Sequence, residues 1–119
     1  MTDQRGAERP SVVIHRRADA APAVLHEICA GAEEDGVPTR VQAVEATDRR
    51  DAAALAHSAA LVSTLEVGVG IDAHGVIAVA HAKLPPGAPA HITAATAGPP
   101  DWRRAGQVAA RIVTGLPIA

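Results

Sequence analysis

The stretch Val67-Gly-Val-Gly-Ile71-Asp-Ala-His-Gly75 decides the fold of this chain. Its first five residues are small or apolar, which is typical of a buried strand, and residues 72–75 have the composition of a hairpin turn. We therefore expect the next strand, residues 76–82, to return antiparallel to the first.

The same stretch matches the start of a dinucleotide-binding fingerprint only loosely. That motif requires a helix directly after its glycines, so that a pyrophosphate meets the helix N-terminus. Here a turn and a second strand follow Gly68 and Gly70. We therefore do not predict nucleotide binding, and we interpret both glycines as positions of close packing in the sheet.

Upstream of the hairpin, the apolar spacing predicts alternating strands and helices. The chain opens with a lead-in that we expect to be disordered, residues 1–10, and residues 11–119 form one domain. The predicted elements are a strand at 11–16, a helix at about 20–35 capped by Asp19, a strand at 40–44, and a helix capped by Asp48 or Asp51 with an apolar stripe of Leu55, Ala59, Val62 and Leu65.

Downstream of the hairpin, three prolines hold a loop open: Pro85, Pro86 and Pro89. Residues 91–95 are a candidate last strand, and a final helix is capped by Asp101 and ends at Gly115. The sum, βαβαββα, predicts a single three-layer α/β domain. Its mixed sheet has an antiparallel fourth strand and helices on both faces.

The composition excludes several classes of function. The 119 residues carry a net charge of −2, and Trp102 is the single residue among Phe, Trp and Tyr. Without a basic field or a stacking platform, we do not expect nucleic-acid binding. Cys29 is the single cysteine, which excludes an intramolecular disulfide and a Cys-rich metal site, and we expect a buried, inert thiol.

The hydropathy pattern predicts a cytoplasmic protein that does not contact the membrane. No apolar run approaches the roughly 20 residues that span a bilayer. Residues 1–10 are polar and charged, unlike a signal peptide.

No catalytic constellation stands out in the sequence. The six histidines include no H-x-x-x-H pair, and no Gly-x-Ser-x-Gly elbow accompanies them. Ser58, His57 and Asp51 could form a hydrolytic set, but any chain of this length offers such combinations. We therefore predict no catalytic residues.

Lys83-Leu-Pro85-Pro86 leads out of the antiparallel strand beside His81. It is either a simple exit from the sheet or a pre-ordered contact surface, because a backbone fixed by proline loses little freedom on docking. His81 faces either the core or a partner. Both alternatives stay open at this point.

The end of the first helix conflicts with helix electrostatics. Gly36 is the expected left-handed residue after the helix, which places Glu33, Glu34 and Asp35 at the negative end of the dipole. Each carboxylate there costs roughly 0.3–1 kcal/mol. The conflict indicates either a solvated helix end, which is the commoner case, or a bound cation or basic partner.

Six blocks, in order, carry a resemblance to a known family. They are Gly31-Ala-Glu-Glu-Asp-Gly-Val-Pro38, the Ala-rich helix around Leu55-Ala56 and Ala59-Ala60, Val67-Gly-Val-Gly-Ile71, His81-Ala-Lys-Leu-Pro85, Gly106 with Ala109-Ala-Arg-Ile-Val113, and Gly115-Leu-Pro117. The chain resembles the small subunit of the reactivating factor for adenosylcobalamin-dependent diol and glycerol dehydratases. It departs from the family at Val108, Thr114 and Ile118, where the family has Asn, Lys and Phe.

The resemblance implies a non-catalytic subunit of an ATP-dependent chaperone. The family's small subunit pairs with a large, Hsp70-like subunit in an α2β2 assembly, and the large subunit holds ATP or ADP. That complex exchanges subunits with the dehydratase and contacts the dehydratase large subunit transiently. Damaged cobalamin then leaves and intact adenosylcobalamin enters.

The resemblance also implies that Glu34 ligates Mg²⁺ at the interface with the large subunit, since a hard cation takes oxygen ligands and can bridge two chains. No cofactor is expected on this chain alone. The other partner-interface candidates are Glu33, Asp35, His81, Lys83, Pro85 and Arg111. The alternative hypothesis is a short form of the dehydratase medium subunit, although those subunits look like this domain plus an extension.

Overall fold

The computed structural model describes residues 9–115, which form a five-stranded sheet and three helices. The strands are β1 (Val12–Arg17), β2 (Thr39–Val44), β3 (Val67–Ile71), β4 (Ile77–His81) and β5 (His91–Thr93). The helices are α1 (Pro22–Glu34), α2 (Ala52–Val62) and α3 (Pro99–Thr114). The strand order across the sheet is β2-β1-β3-β4-β5.

The sheet is mixed, as the hairpin sequence predicts. β1, β2 and β3 are parallel, whereas β4 and β5 continue the sheet in antiparallel pairs. The turn closes when the Gly75 amide donates to the Asp72 carbonyl at 3.2 Å, with a φ of 87° at Gly75. The antiparallel fourth strand is confirmed. The order contains one strand more than the predicted βαβαββα, because His91–Thr93 pairs with β4.

One face of the sheet packs against α1 and α3. In β3 the side chains of Val67, Val69 and Ile71 point to this face and are buried. The other buried members of this core are Val12, Ile14, Ile28, Ala32, Val37, Ile77, Val79, Ala105, Val108, Ala109 and Ala110. Cys29 packs against the core but is only half-buried, so the expectation of a buried thiol is met in part.

The opposite face packs against α2, which confirms the three-layer fold with helices on both faces. Gly68 and Gly70 alternate with the buried side chains of β3 and therefore face this helix. A Cβ on Gly68 would lie 2.7 Å from the Ala59 carbonyl carbon, and one on Gly70 would lie 2.8 Å from the Leu55 Cβ. Only glycine lets the Ala-rich helix lie this close, so the packing role predicted for these residues is confirmed.

The predicted N-cap residue is correct for one of the three helices. The Asp51 carboxylate accepts from the Ala54 amide at 2.9 Å, so Asp51, and not Asp48, caps α2. The prediction that Asp19 caps α1 is wrong. The N-cap is Ala21, which makes no side-chain bond, and Pro22 fills the first helical position.

Asp101 also lies inside its helix rather than at the cap. Gly98 is the N-cap of α3, and the Asp101 carboxylate reaches back to the Gly98 amide at 3.4 Å. This is the third-position half of a capping box, so the residue stabilises the helix start from a different place than predicted. Gly115 ends the helix with a φ of 74°, as predicted.

α2 ends before its predicted apolar stripe does. Ser63 is the C-cap, and its hydroxyl donates to the Ser11 carbonyl at 2.7 Å. Val62 is consequently 52% exposed, and Leu65 lies beyond the helix and packs against the core on the opposite face. The assignment of Val62 and Leu65 to one helical stripe is therefore wrong.

The lead-in predicted at residues 1–10 falls outside the described residues, apart from Arg9 and Pro10, which are exposed. In the part of the chain that the structure describes, no helix has the length and apolarity needed to cross a membrane.

Candidate functional site

The acidic run lies where the sequence places it, at the C-terminal end of α1. Glu33 and Glu34 are in the last turn, Asp35 is the C-cap, and Gly36 follows in the left-handed conformation with a φ of 74°. The Gly36 amide donates to the Glu33 carbonyl at 2.9 Å, and the Val37 amide donates to the Ala32 carbonyl at 3.2 Å. These bonds form a Schellman motif, which directs the chain into β2.

α3 runs beside α1 at unusually close range, because glycines stand at the crossing. A Cβ on Gly106 would collide with the carbonyl oxygen of Ile28, and one on Gly31 would collide with that of Arg103. Small residues at a crossing let two helix backbones approach until the side chains on either side of the contact meet. This approach brings the polar edge of α3 to the acidic end of α1.

Three residues of α3 supply partners for the carboxylates. The Gln107 amide donates to Glu34 Oε1 at 2.8 Å, and Arg103 Nη1 donates to Glu34 Oε2 at 3.2 Å. Arg111 Nε lies 3.7 Å from Asp35 Oδ2. The unfavourable helix-end charges are therefore offset within the chain, which the spacing 103, 107, 111 on one face of α3 could have indicated.

The acidic end nevertheless keeps an excess of negative charge. Among residues 9–115, the carboxylates of Glu27, Glu34 and Asp35 pair with two guanidinium groups, those of Arg103 and Arg111, and Glu33 is exposed beside them. The Glu34 side chain is 43% exposed, so its carboxylate remains open to an incoming cation. Among residues 9–115, no cluster of three His, Cys, Asp or Glu side chains could hold a metal ion.

His81, Lys83 and Pro85 lie at the same end of the sheet as the acidic run, where β1, β2 and β3 begin. His81 pairs with Val67 at the start of β3, and the turn after α1 joins this end through the bond from the Val12 amide to the Pro38 carbonyl at 3.0 Å. Lys83 and Pro85 are exposed. The candidate interface residues thus lie at one end of the sheet, although they belong to different elements.

The His81 side chain makes its contacts at this end of the sheet and not in the core. Its Nδ1 accepts from the Lys83 amide at 3.1 Å, and its Nε2 lies 3.8 Å from Glu66 Oε1. Glu66 has a φ of 63°, a left-handed backbone conformation that residues other than glycine rarely adopt. Backbone strain of this kind occurs often at functional positions, so Glu66 joins the candidates that the sequence did not reveal.

At the opposite end of the sheet, where β1, β2 and β3 end, the charged side chains stabilise the fold. Asp48 follows β2, and hydrogen bonds from the Arg50 side chain and backbone amide lower its pKa to about 2. Arg50 Nη1 also donates to the Ser58 hydroxyl at 2.6 Å. Since Ser58 pairs with Arg50 and Asp51 caps α2, these residues are not arranged with His57 as a hydrolytic set.

The chain is similar to a protein family and to named proteins along most of its length. A sequence model described as the dehydratase medium subunit matches residues 9–119. A glycerol dehydratase-reactivating factor small subunit from Citrobacter freundii is 42% identical over 96 residues, covering 81% of this chain and 80% of that protein. A propanediol dehydratase-reactivating factor small subunit from Salmonella typhimurium strain LT2 is 35% identical over 109 residues, covering 92% and 90%.

Solved structures agree with the sequence relatives. A glycerol dehydratase reactivase superposes with a TM-score of 0.87 at 35% identity, covering 93% of this chain and 97% of that chain. A diol dehydratase-reactivating factor complexed with ADP and Mg²⁺ superposes with a TM-score of 0.82 at 28% identity, covering 94% and 99%. The chain therefore belongs to the dehydratase medium subunit family, and its homologues include small subunits of dehydratase-reactivating factors.

Proposed function

We propose that this member of the dehydratase medium subunit family is the small, non-catalytic subunit of a dehydratase-reactivating factor. The single observation that carries the proposal is the match to two reactivating-factor small subunits over 81% and 92% of the chain. In this role the chain pairs with a large subunit that binds and hydrolyses ATP. The pair acts on an adenosylcobalamin-dependent diol or glycerol dehydratase whose coenzyme is damaged.

The chain acts by occupying a position that belongs to another protein. Its compact α/β domain resembles the dehydratase medium subunit by family, so it can take that subunit's place against the dehydratase large subunit. Exchange of the two subunits opens the coenzyme site, damaged cobalamin leaves, and intact adenosylcobalamin enters. The small subunit contributes shape and binding free energy to this cycle, and the large subunit contributes ATP hydrolysis, in an α2β2 assembly in the cytoplasm.

The interface with the large subunit is centred on Glu34. Its carboxylate supplies one oxygen ligand to a Mg²⁺ ion whose remaining protein ligands come from the large subunit. The negative charge around Glu34 and its exposure support this assignment. His81, Lys83 and Pro85, at the same end of the sheet, extend the contact.

The test is assembly of Glu34→Ala with the large subunit. We expect this exposed substitution to leave the fold intact, and to weaken pairing in Mg²⁺ at least about tenfold, since even outer-shell changes cost 10–100-fold in metal affinity. Glu45→Ala, the same substitution at an exposed position after β2, is the matched control and should pair normally. Titration by size-exclusion chromatography or ultracentrifugation, with and without chelator, measures both. Equal pairing of the two variants in Mg²⁺ would rule out the role of Glu34.

The family name favours a second candidate, a short medium subunit of the dehydratase itself. Such a subunit would contact cobalamin directly in a complex with a catalytic large subunit. Cobalamin that stays with the purified complex, together with turnover of a diol, would support this alternative. A complex that binds ATP and retains no cobalamin would support the reactivating factor.

A further inference from the structure

The Glu34 carboxylate is held by two donors from a neighbouring helix. Gln107 Nε2 donates to one oxygen at 2.8 Å and Arg103 Nη1 donates to the other at 3.2 Å. A carboxylate has about four acceptor positions. One donor on each oxygen therefore fixes the plane of the group and leaves a free lone pair on each oxygen.

Arg103 is fixed from its other side. Its Nε donates to Glu27 Oε1 at 3.0 Å, about two turns earlier on α1 than Glu34. The planar guanidinium thus bridges two carboxylates, which limits its freedom to follow Glu34 outward. Because its single positive charge is shared between two carboxylates, Glu27, Glu34 and Arg103 together keep a formal charge of −1.

Gln107 has a different role from Arg103. It is neutral, it makes the shorter of the two bonds to Glu34, and it lies on α3 one residue after the glycine that touches α1. The neighbouring Glu33 shows the contrast: it is exposed, and no hydrogen bond from residues 9–115 reaches its side chain. One carboxylate of the pair is held by donors and the other is not.

We infer that Gln107 and Arg103 are positioning residues for the Glu34 ligand, and that Gln107 sets the affinity of the interface for its divalent cation. This inference rests on the proposed cation at Glu34 and names the residues that orient it. Metal-ligating side chains are usually held by outer hydrogen bonds of this kind. A carboxylate oriented before the cation arrives loses less side-chain freedom when it binds.

The test is Gln107→Met, which keeps the length of the side chain and removes its donor. The control is Gln42→Met, because Gln42 also makes one side-chain bond: its Oε1 accepts from His15 Nε2 at 2.8 Å, on the opposite face of the sheet. Both full-length variants are mixed with the large subunit at a series of Mg²⁺ concentrations. The readouts are the Mg²⁺ concentration at half-maximal pairing and the melting temperature of the isolated chain.

We expect Gln107→Met to raise the half-maximal Mg²⁺ concentration by about tenfold, while Gln42→Met leaves it unchanged. A purely structural role would lower the melting temperature without moving the Mg²⁺ requirement. Wild-type pairing that needs Mg²⁺ and an unshifted Gln107→Met curve would overturn this inference alone. Wild-type pairing that is indifferent to Mg²⁺ would overturn the cation at Glu34 and this inference with it.

Discussion

The close crossing of α1 and α3 makes Gly106 a sensitive position. In Gly106→Ala the added Cβ would collide with the Ile28 carbonyl oxygen, and would lie 2.9 Å from its carbonyl carbon and 3.0 Å from the Ala32 amide nitrogen. All three atoms belong to the backbone of α1, so no side-chain rotation can relieve the contact. The two helices must separate, or one of them must shift along the other.

The magnitude follows from two opposing terms. Overpacking of a well-packed contact costs about 1–3 kcal/mol, and a backbone obstacle places this case at the upper end. Alanine in place of glycine inside a helix returns about 1 kcal/mol. We therefore expect a net loss of about 2 kcal/mol in the free energy of unfolding, which for a domain of this size lowers the melting temperature by about 8 °C.

The assay is thermal and urea unfolding of the isolated chain, followed by circular dichroism. Gly87→Ala is the control, because a Cβ there has no atom within 4 Å, and it should change stability by less than about 0.5 kcal/mol. If Gly106→Ala melted at or above the wild-type temperature, the helices would not approach as described. The contacts of Arg103 and Gln107 with Glu34 would then lose their structural basis.

Two further predictions concern the end of the sheet opposite the acidic run. Asp48 has its pKa lowered from 3.8 to about 2, so its ion pair with Arg50 stabilises the fold above pH 4 and loses that effect as the pH falls towards 2. Asp48→Asn should lower the free energy of unfolding by about 1 kcal/mol above pH 4, after solvent screening, and in an acid titration the two proteins should become equally stable as the pH falls towards 2. Asp72, which is buried, accepts from the amides of Ala52, His74 and Val76 at 2.9–3.2 Å. Asp72→Ala leaves these donors without a partner and should cost about 3 kcal/mol in urea unfolding, with Asp72→Asn intermediate; equal stability of all three proteins would contradict this account.

Local sequence rules predicted the centre of the fold well. The bounds of β3, the hairpin after it and the left-handed glycines after α1 and α3 all depend on a few neighbouring residues. Turn and strand chemistry of this kind is encoded within about five residues, so it can be read without knowledge of the rest of the chain. The Gly-Val-Gly pattern also indicated close packing, although the sequence did not show that α2 is the helix involved.

Features that depend on distant partners were predicted less well. The sequence offered residues 91–95 as a candidate last strand, but the strand that pairs with β4 has only three residues, His91–Thr93. Asp19 and Asp51 are equally good cap residues by type, but only Asp51 lies where the chain enters its helix in reach of a free amide. α2 ends at Ser63, whose hydroxyl bonds to Ser11, 52 positions away in the chain.

In the candidate site too, local features could be predicted from the sequence and contacts between distant residues could not. The acidic run and its conflict with the helix dipole are visible in the sequence, and the family resemblance singled out Glu34 within the run. The compensation by Arg103 and Gln107 comes from α3, about 70 residues later in the chain, and becomes visible only through the glycine crossing. Glu66 was missed because nothing in its local sequence requires a positive φ.

The central claim is that this chain restores a dehydratase by acting together with a large subunit. The most direct measurement is the recovery of diol dehydration by inactivated enzyme supplied with the large subunit, ATP, Mg²⁺ and fresh adenosylcobalamin, with and without this chain. We expect activity to return when the chain is present and to stay low when it is omitted. Equal recovery in its absence would contradict the account.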